Sequence, residues 1–295
     1  MEEYRACHLC PRSCGVDRTL GTLGVCRSPA IPLVAHVMLH QWEEPCLVGE
    51  NGSGAVFFSG CGLGCVFCQN RRISAGQVGK PYTAEMLAET YLRLESEGAA
   101  NINLVTAAHF VPHVRESLLL ARKRGLRLPI VYNSSGYESL SSLRSLDGLV
   151  DIYLPDFRYL RRDTARRYSH AADYPQVAEA AIAEMVRQTG APRFLGDGRM
   201  ERGTIVRLLL LPAHLIEAKM ILRRLYLRYG DTVYISLMSQ YTPFGDLSDY
   251  PELSVRVSDA EYHSLVDYAI TLGVKQAFVQ EGESASESFI PDFQP

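Results

Sequence analysis

The chain has no cysteine after residue 68, only one tryptophan, and no apolar run near the roughly 20 residues that span a bilayer. All eight cysteines fall in the first 68 of 295 residues. Disulfide staples would be spread through the fold, so crowding at one end points instead to metal binding. Neither sign of charge dominates: 33 acidic and 30 basic side chains leave a formal net charge of -3. That argues against nucleic acid or an anionic membrane as the main partner. The start, Met1-Glu2-Glu3-Tyr4-Arg5, is acidic and has no apolar core of a secretory signal. The expectation is a cytoplasmic protein in a compartment that keeps thiols reduced. Apolar and charged fractions of 47% and 21% are those of an ordinary globular protein. The length suits one barrel-sized domain or two smaller ones.

Most telling is the run Ser59-Gly60-Cys61-Gly62-Leu63-Gly64-Cys65-Val66-Phe67-Cys68-Gln69-Asn70, with C-x3-C-x2-C spacing and an aromatic, Phe67, before the last cysteine. A [4Fe–4S] cluster held by cysteine alone needs four thiolates. Three from one loop, Cys61, Cys65 and Cys68, leave one iron without a protein ligand, and an open position is where a metal binds substrate. The competing reading is a zinc knuckle or three buried thiols. Placement favours the cluster, because the loop comes after a strand-like run, Ala55-Val56-Phe57-Phe58, and barrel active sites sit at the C-terminal ends of strands.

Cys7, Cys10, Cys14 and Cys26 form a second set in C-x2-C-x3-C-x11-C spacing, with glycines that permit tight turns. Four thiolates suit structural zinc, a single iron or a second [4Fe–4S] cluster, and the spacing does not choose among them. Cys46 has no partner in spacing and reads as a small core thiol. Residues 31–54 are expected to pack this N-terminal module onto the remainder of the chain.

Beyond residue 68, strand-like and helix-like stretches alternate with short loops, the pattern of βα units on a parallel sheet. Strands are expected near 103–106, 129–133, 150–156, 204–212 and 232–238, with a short last one at 277–279. Helices are expected at 83–98 behind a Thr83 N-cap, at 112–124 and at 176–190. A further helix opens on a Ser258/Glu261 capping box and ends at Gly273. With the strand before the cysteine loop, six parallel strands precede the last short piece. Residues 282–295 are polar and acidic and read as a tail. The polar residues ending the strands, in Thr106-Ala107-Ala108-His109, Asn133-Ser134-Ser135-Gly136-Tyr137, Asp156-Phe157-Arg158 and Ser239-Gln240-Tyr241, should face whatever the cluster binds.

The cysteine spacing with its aromatic resembles the signature of the radical S-adenosylmethionine (SAM) superfamily. That resemblance implies that the open iron chelates the amino and carboxylate groups of SAM, and that the reduced cluster cleaves SAM to a 5′-deoxyadenosyl radical. It also implies an open (βα)6 partial TIM barrel, here with a small cysteine-rich N-terminal module. Within the superfamily, residues 133–137 are similar to the Asp-Thr-Asn-Gly-Phe stretch of the pyruvate formate-lyase activating enzyme. Residues 154–158 resemble its Leu-Asp-Leu-Lys, and 207–212 its Arg-Tyr-Val-Val-Val-Pro strand. The N-terminal cysteines, the approach 52–61 and the strand end 238–241 resemble a subgroup named as activating-enzyme homologues. Position at the strand ends, joined for Asn133 and Asp156 by the resemblance, makes Phe67, Thr106, His109, Asn133, Ser135, Asp156, Arg207 and Gln240 the expected SAM contacts; Arg207, on an otherwise apolar strand, either faces the SAM carboxylate or pairs with Asp156. Two features depart from it: Thr106-Ala107-Ala108-His109 stands where activating enzymes carry Gly-Gly-Glu, and the extra cysteines precede the cluster loop rather than come after it.

Three functions compete on these residues. The first is a radical SAM oxidoreductase that abstracts hydrogen from a glycine of a partner enzyme. The second is radical SAM modification of a small molecule or peptide. The third is an iron–sulfur electron carrier without SAM chemistry, which has no use for polar strand ends above its cluster. The first two need SAM and an external one-electron donor such as flavodoxin or ferredoxin. The expected layout is a metal-binding module over 1–50, the barrel over 51–282 and the tail over 283–295.

Overall fold

The computed structural model describes residues 2–76 and 78–280. The expected tail over 283–295 therefore lies outside the described residues. Residues 2–32 carry only single-turn 3-10 helices, and the sheet begins with β1 (Leu33–His40). This strand comes from the segment expected to be a mere extension, and it pairs antiparallel along β2 (Ser53–Phe58). A four-residue helix α1 (Pro45–Val48) lies between them, and α2 (Arg71–Ser74) comes after the cysteine loop. The two-residue β3 (Lys80–Pro81) pairs with the start of β1.

The alternating units are α3 (Ala84–Ser96), β4 (Ile102–Val105), α4 (Val111–Lys123), β5 (Ile130–Ser134), α5 (Leu140–Ser145), β6 (Ile152–Pro155), α6 (Arg162–Ser169) and α7 (Tyr174–Thr189). After the two-residue β7 (Arg193–Phe194) come β8 (Met200–Leu209), α8 (Leu215–Tyr229), β9 (Tyr234–Met238), α9 (Asp259–Leu272) and β10 (Ala277–Val279). The expected caps are present: Thr83 Oγ1 accepts from Met86 N at 3.2 Å, and Ser258 and Glu261 form the capping box. α5, α6 and α8 were not anticipated. α6 is short and five of its eight residues are charged or serine, so its apolar periodicity is weak.

The sheet order is β10-β9-β8-β6-β5-β4-β2-β1-β3, parallel from β2 to β10, with β7 a side ribbon on β8. The order is open: its terminal strands β3 and β10 do not pair. β2, β4, β5 and β6 are buried along their whole length, as expected of parallel strands covered on both faces.

The two-residue period of a strand sorts the faces. Ile130, Tyr132 and Tyr153 pack outward against α3, α4, α5 and α7. Val131, Ile152, Leu154 and Ile205 point inward, where Cys46 and Leu47 of α1 pack on them and plug the floor. One step further along the same inward face stand Asn133, Asp156, Arg207 and Ser236. The inner layer thus turns from apolar to polar toward the strand ends. Among the described residues no helix is long and apolar enough to cross a membrane.

Candidate active site

The cysteine loop leaves β2 through Ser59 and Gly60. Gly60 has φ +89°, and a Cβ there would come 2.1 Å from Ser28 Oγ and 2.6 Å from the Cys26 carbonyl. Only glycine meets both conditions, which explains the Gly-Cys step. Buried His109 donates from Nε2 to the Ser59 carbonyl at 2.8 Å, fixing the turn from below. Within the loop, Leu63 N–H donates to Cys61 Sγ at 3.4 Å, and the Ser169 hydroxyl donates to Cys65 Sγ at 3.0 Å. Phe67 is wedged among Tyr159, Tyr168 and Tyr241, with centroid distances of 6.5, 6.3 and 6.0 Å in edge-on geometry. That packing makes it a pivot for the loop as well as a cavity residue.

Cys61, Cys65 and Cys68 share one wall of a cavity of about 560 Å³. Burial, then the proximity of Cys65 and Cys68, pushes the Cys61 thiol up to about 12. Burial and Cys65 likewise raise Cys68. Arg158 is a cation beside Cys65 and Cys68, yet burial still keeps Cys61 and Cys68 above the ordinary thiol range, and a bound metal cluster would supply the further positive charge that thiolates need. The donor set therefore fits a cluster held through three sulfurs. Among the described residues, no three His, Cys, Asp or Glu side chains are disposed to hold a single metal ion.

The opposite walls are polar and come from strand ends. Arg207 Nε donates to Asp156 Oδ1 at 2.8 Å, and its Nη2 to Asn133 Oδ1 at 2.6 Å. Arg158 pairs with the other Asp156 oxygen and lies 5.9 Å from the Phe67 ring centre. From the floor, Glu43 accepts from Asn103 Nδ2 at 3.0 Å and Asn133 Nδ2 at 3.3 Å, with Arg207 Nη1 3.8 Å away. Glu44 lies beside Glu43 and Ser236, and burial carries its carboxyl up to about 7 against the pull of Arg207. Its Oε2 has no hydrogen-bond partner.

Of the expected contact residues, Phe67, Thr106, Asn133, Ser135, Asp156, Arg207 and Gln240 line this cavity together with the three cysteines. His109 is not among the lining residues: its ring is spent on Ser59, and its carbonyl accepts from Arg18 at 2.6 Å. Of the two roles read for Arg207, the Asp156 pairing is present. Glu43, Glu44 and Ser236 were missed. The sequence offered only an acidic pair after a short apolar stretch, and nothing local says that the pair turns under the sheet.

None of the four N-terminal thiols lines the cavity, but the Cys10 sulfur lies against Gly62 of the cysteine loop. Cys10 is raised to about 12, chiefly by burial and then by its neighbours Cys26 and Cys14. Val25 N–H donates to Cys14 Sγ at 3.4 Å, while Cys7 is buried with Tyr4 and Leu9. Arg12 ties this segment to the cysteine loop through the carbonyls of Gly62 (2.8 Å) and Leu63 (3.3 Å), and to the end of α6 through those of Ser169 (2.8 Å) and His170 (2.5 Å).

No protein-family profile matches the chain. An uncharacterised protein of Methanocaldococcus jannaschii is 26% identical over 273 residues, covering 90% of this chain and 75% of that protein. Among solved structures, the fold is similar to that of Streptococcus suis SuiB, determined with precursor peptide SuiA bound. The TM-score is 0.51 at 10% identity, over 76% of this chain and 47% of SuiB. A radical SAM methyltransferase from Sphaerobacter thermophilus aligns with a TM-score of 0.49 and 17% identity, over 77% of this chain and 66% of its own. The chain thus spans less than two thirds of either structure, and the likeness to SuiB is one of fold.

Proposed function

We propose that this chain is a radical SAM enzyme. The observation that carries the reading is the placement of Cys61, Cys65 and Cys68, in C-x3-C-x2-C spacing, on one wall of a cavity whose other walls are polar strand ends. A [4Fe–4S] cluster with bound SAM supplies reductive cleavage of the sulfonium to a 5′-deoxyadenosyl radical that abstracts hydrogen. The chain's part is to bind and position: the three cysteines hold the cluster, and Ser169 orients the Cys65 sulfur. Asn133, Asp156 and Arg207 form a preorganised polar wall, and Arg158 places positive charge beside Cys65 and Cys68. Phe67, Thr106, Ser135 and Gln240 complete the lining. An external one-electron donor such as flavodoxin or ferredoxin is required.

For the substrate we favour a peptide or small molecule. The cavity has a floor, closed by residues 41–45, and so takes up a substrate group rather than passing a chain through. SuiB, whose fold is similar, was determined with a precursor peptide. Activation of a glycyl-radical partner enzyme rests on the sequence resemblance at 133–137, 154–158 and 207–212. We also propose that Cys7, Cys10, Cys14 and Cys26 bind a separate metal, supported by the mutual proximity of Cys10, Cys14 and Cys26.

Anaerobic reconstitution with iron and sulfide, reduction with dithionite and assay of 5′-deoxyadenosine test the main reading. Wild type should cleave SAM, and Cys65→Ala should not. Cleavage that survives in the triple Cys61/Cys65/Cys68 alanine variant would overturn it. Metal analysis of that triple variant tests the second site: iron with sulfide means a second cluster, zinc means a structural ion, and no metal removes the proposal.

A further inference from the structure

The last turn of α6 is fastened to the cysteine loop by two independent links. Val66 N–H, one residue past Cys65, donates to the Tyr168 carbonyl at 2.8 Å. Arg12 spans both segments, holding the carbonyls of Gly62 and Leu63 on the loop and those of Ser169 and His170 at the helix end. His170 closes the helix in the left-handed region at φ +51°, and its N–H returns to the carbonyls of Ala165 and Arg166. Ser169, the final residue of the helix, is thereby fixed beside Cys65.

The Ser169 hydroxyl donates to Cys65 Sγ at 3.0 Å, and the Tyr159 hydroxyl lies 2.8 Å from the same serine oxygen. The direction of this chain is determined. A cysteine sulfur that ligates a metal is a thiolate and can only accept. Ser169 therefore gives its one proton to Cys65, and its oxygen accepts from Tyr159. Burial, then the nearby Cys65, pushes the Tyr159 phenol well above its ordinary range, so it keeps the proton that it donates. Both residues are fully buried, which shuts out water as a substitute donor. The other two sulfurs are served differently. Cys61 accepts from the Leu63 N–H at 3.4 Å, and Cys68 faces Ser74, a half-buried residue whose hydroxyl also points to the Arg71 carbonyl at 3.5 Å.

Reduction of an iron–sulfur cluster adds one electron, and the added charge spreads onto the sulfurs. A hydrogen bond to a sulfur stabilises the reduced state more than the oxidised one, which is how such bonds help to set a cluster's potential. A donor whose own oxygen is polarised by a second O–H, in a site without water, acts more strongly. We propose, on the reading that Cys61, Cys65 and Cys68 hold a cluster, that Ser169 backed by Tyr159 is a positioning residue that raises the reduction potential of that cluster and so eases its reduction by the external one-electron donor. Neither residue lines the cavity, so the effect passes through the Cys65 sulfur and not through contact with SAM.

The test is a potentiometric titration of the reconstituted full-length protein, followed by electron paramagnetic resonance of the reduced cluster. The triple Cys61/Cys65/Cys68 alanine variant, titrated in parallel, gives the signal of any cluster held by the N-terminal cysteines. Ser169→Ala should move the midpoint to more negative potential by a tenfold step in the one-electron equilibrium, about 59 mV. Tyr159→Phe keeps the ring and removes only the hydroxyl, so it should move the midpoint the same way by less. It also decides the matter should Ser169→Ala assemble the cluster poorly. A merely structural role would lower the iron content and leave the midpoint of the assembled fraction in place. An unmoved midpoint in either variant that assembles the cluster, or a shift to more positive potential, would overturn the proposal and leave the cluster reading standing. A wild type that forms no reducible cluster beyond that of the triple variant would overturn the cluster reading and the proposal with it.

Discussion

The sulfur of Cys10 lies against Gly62, close enough that a Cβ at position 62 would stand 3.3 Å from it. The two cysteine sets, well separated in sequence, therefore meet where the first cysteine of the barrel loop leaves the strand. Gly62→Val should overpack this contact and cost about 1–3 kcal/mol. It should also speed alkylation of Cys10, measured by mass spectrometry. An unchanged Cys10 rate would mean that the contact does not shield the thiol.

Gly60→Ala forces an L side chain to φ +89° into a space where its Cβ would lie 2.1 Å from Ser28 Oγ. The backbone term alone is about 1–3 kcal/mol, and the clash adds to it. Reconstituted Gly60→Ala should hold less iron than wild type and unfold at lower denaturant. Gly64, also at positive φ but with nothing within 4 Å, should suffer the backbone term only.

Arg12 donates to four carbonyls, on the cysteine loop and at the end of α6. Lysine keeps the charge but not the planar fork that reaches several acceptors at once. Arg12→Lys should therefore behave more like Arg12→Ala than like wild type, with faster hydrogen exchange over residues 61–68 in both. Full protection in the lysine variant would show that charge alone suffices.

Arg207→Met removes the shared partner of Asp156, Asn133 and Glu43. Breaking one member of a buried charged network costs about 3–5 kcal/mol, visible in urea unfolding. Asn133→Ala should cost less, because Arg207 keeps Asp156. In reconstituted protein both changes should weaken SAM binding by roughly ten- to a hundredfold, the value of one good charged contact.

His109 is buried, and desolvation lowers it to about 3. The unfolded chain, with histidine near 6.5, then binds the extra proton throughout that interval, so this residue's contribution to stability is full above pH 6.5 and is lost as pH falls toward 3. Between pH 7 and pH 5 the loss is about 2 kcal/mol for this one group. His109→Gln, which can still donate to the Ser59 carbonyl, should lose that much less between the two pH values in paired urea titrations. Parallel curves for the two proteins would assign the slope to other groups.

The alternating units were legible because each carries its own local signal. Thr83 and Ser258 cap helices whose apolar faces repeat every three or four residues, and the strands are near-continuous apolar runs. The cysteine loop was legible because ligand spacing within one turn is a property of the sequence itself. Helix α8 was missed although Ala218, Ile221, Leu222 and Leu225 give it a buried stripe, since exposed Ile216, Met220 and Leu227 blur the pattern. Segment 31–54 was underread because the pairing of β1 with β2 is a long-range choice that neither strand states alone.

By itself, the sequence determined the parallel α/β architecture, the three-cysteine loop at the end of a strand and the family of strand-end residues that gather around it. Periodicity, capping and ligand spacing act over a few residues and survive without any knowledge of neighbours. Only the tertiary structure decided that Arg207 is shared by Asp156 and Asn133, that His109 turns beneath Gly60, and that Glu43 and Glu44 close the cavity floor. Each depends on the register between strands and on which buried donor finds which acceptor, a choice made by desolvation once the sheet has closed around those side chains.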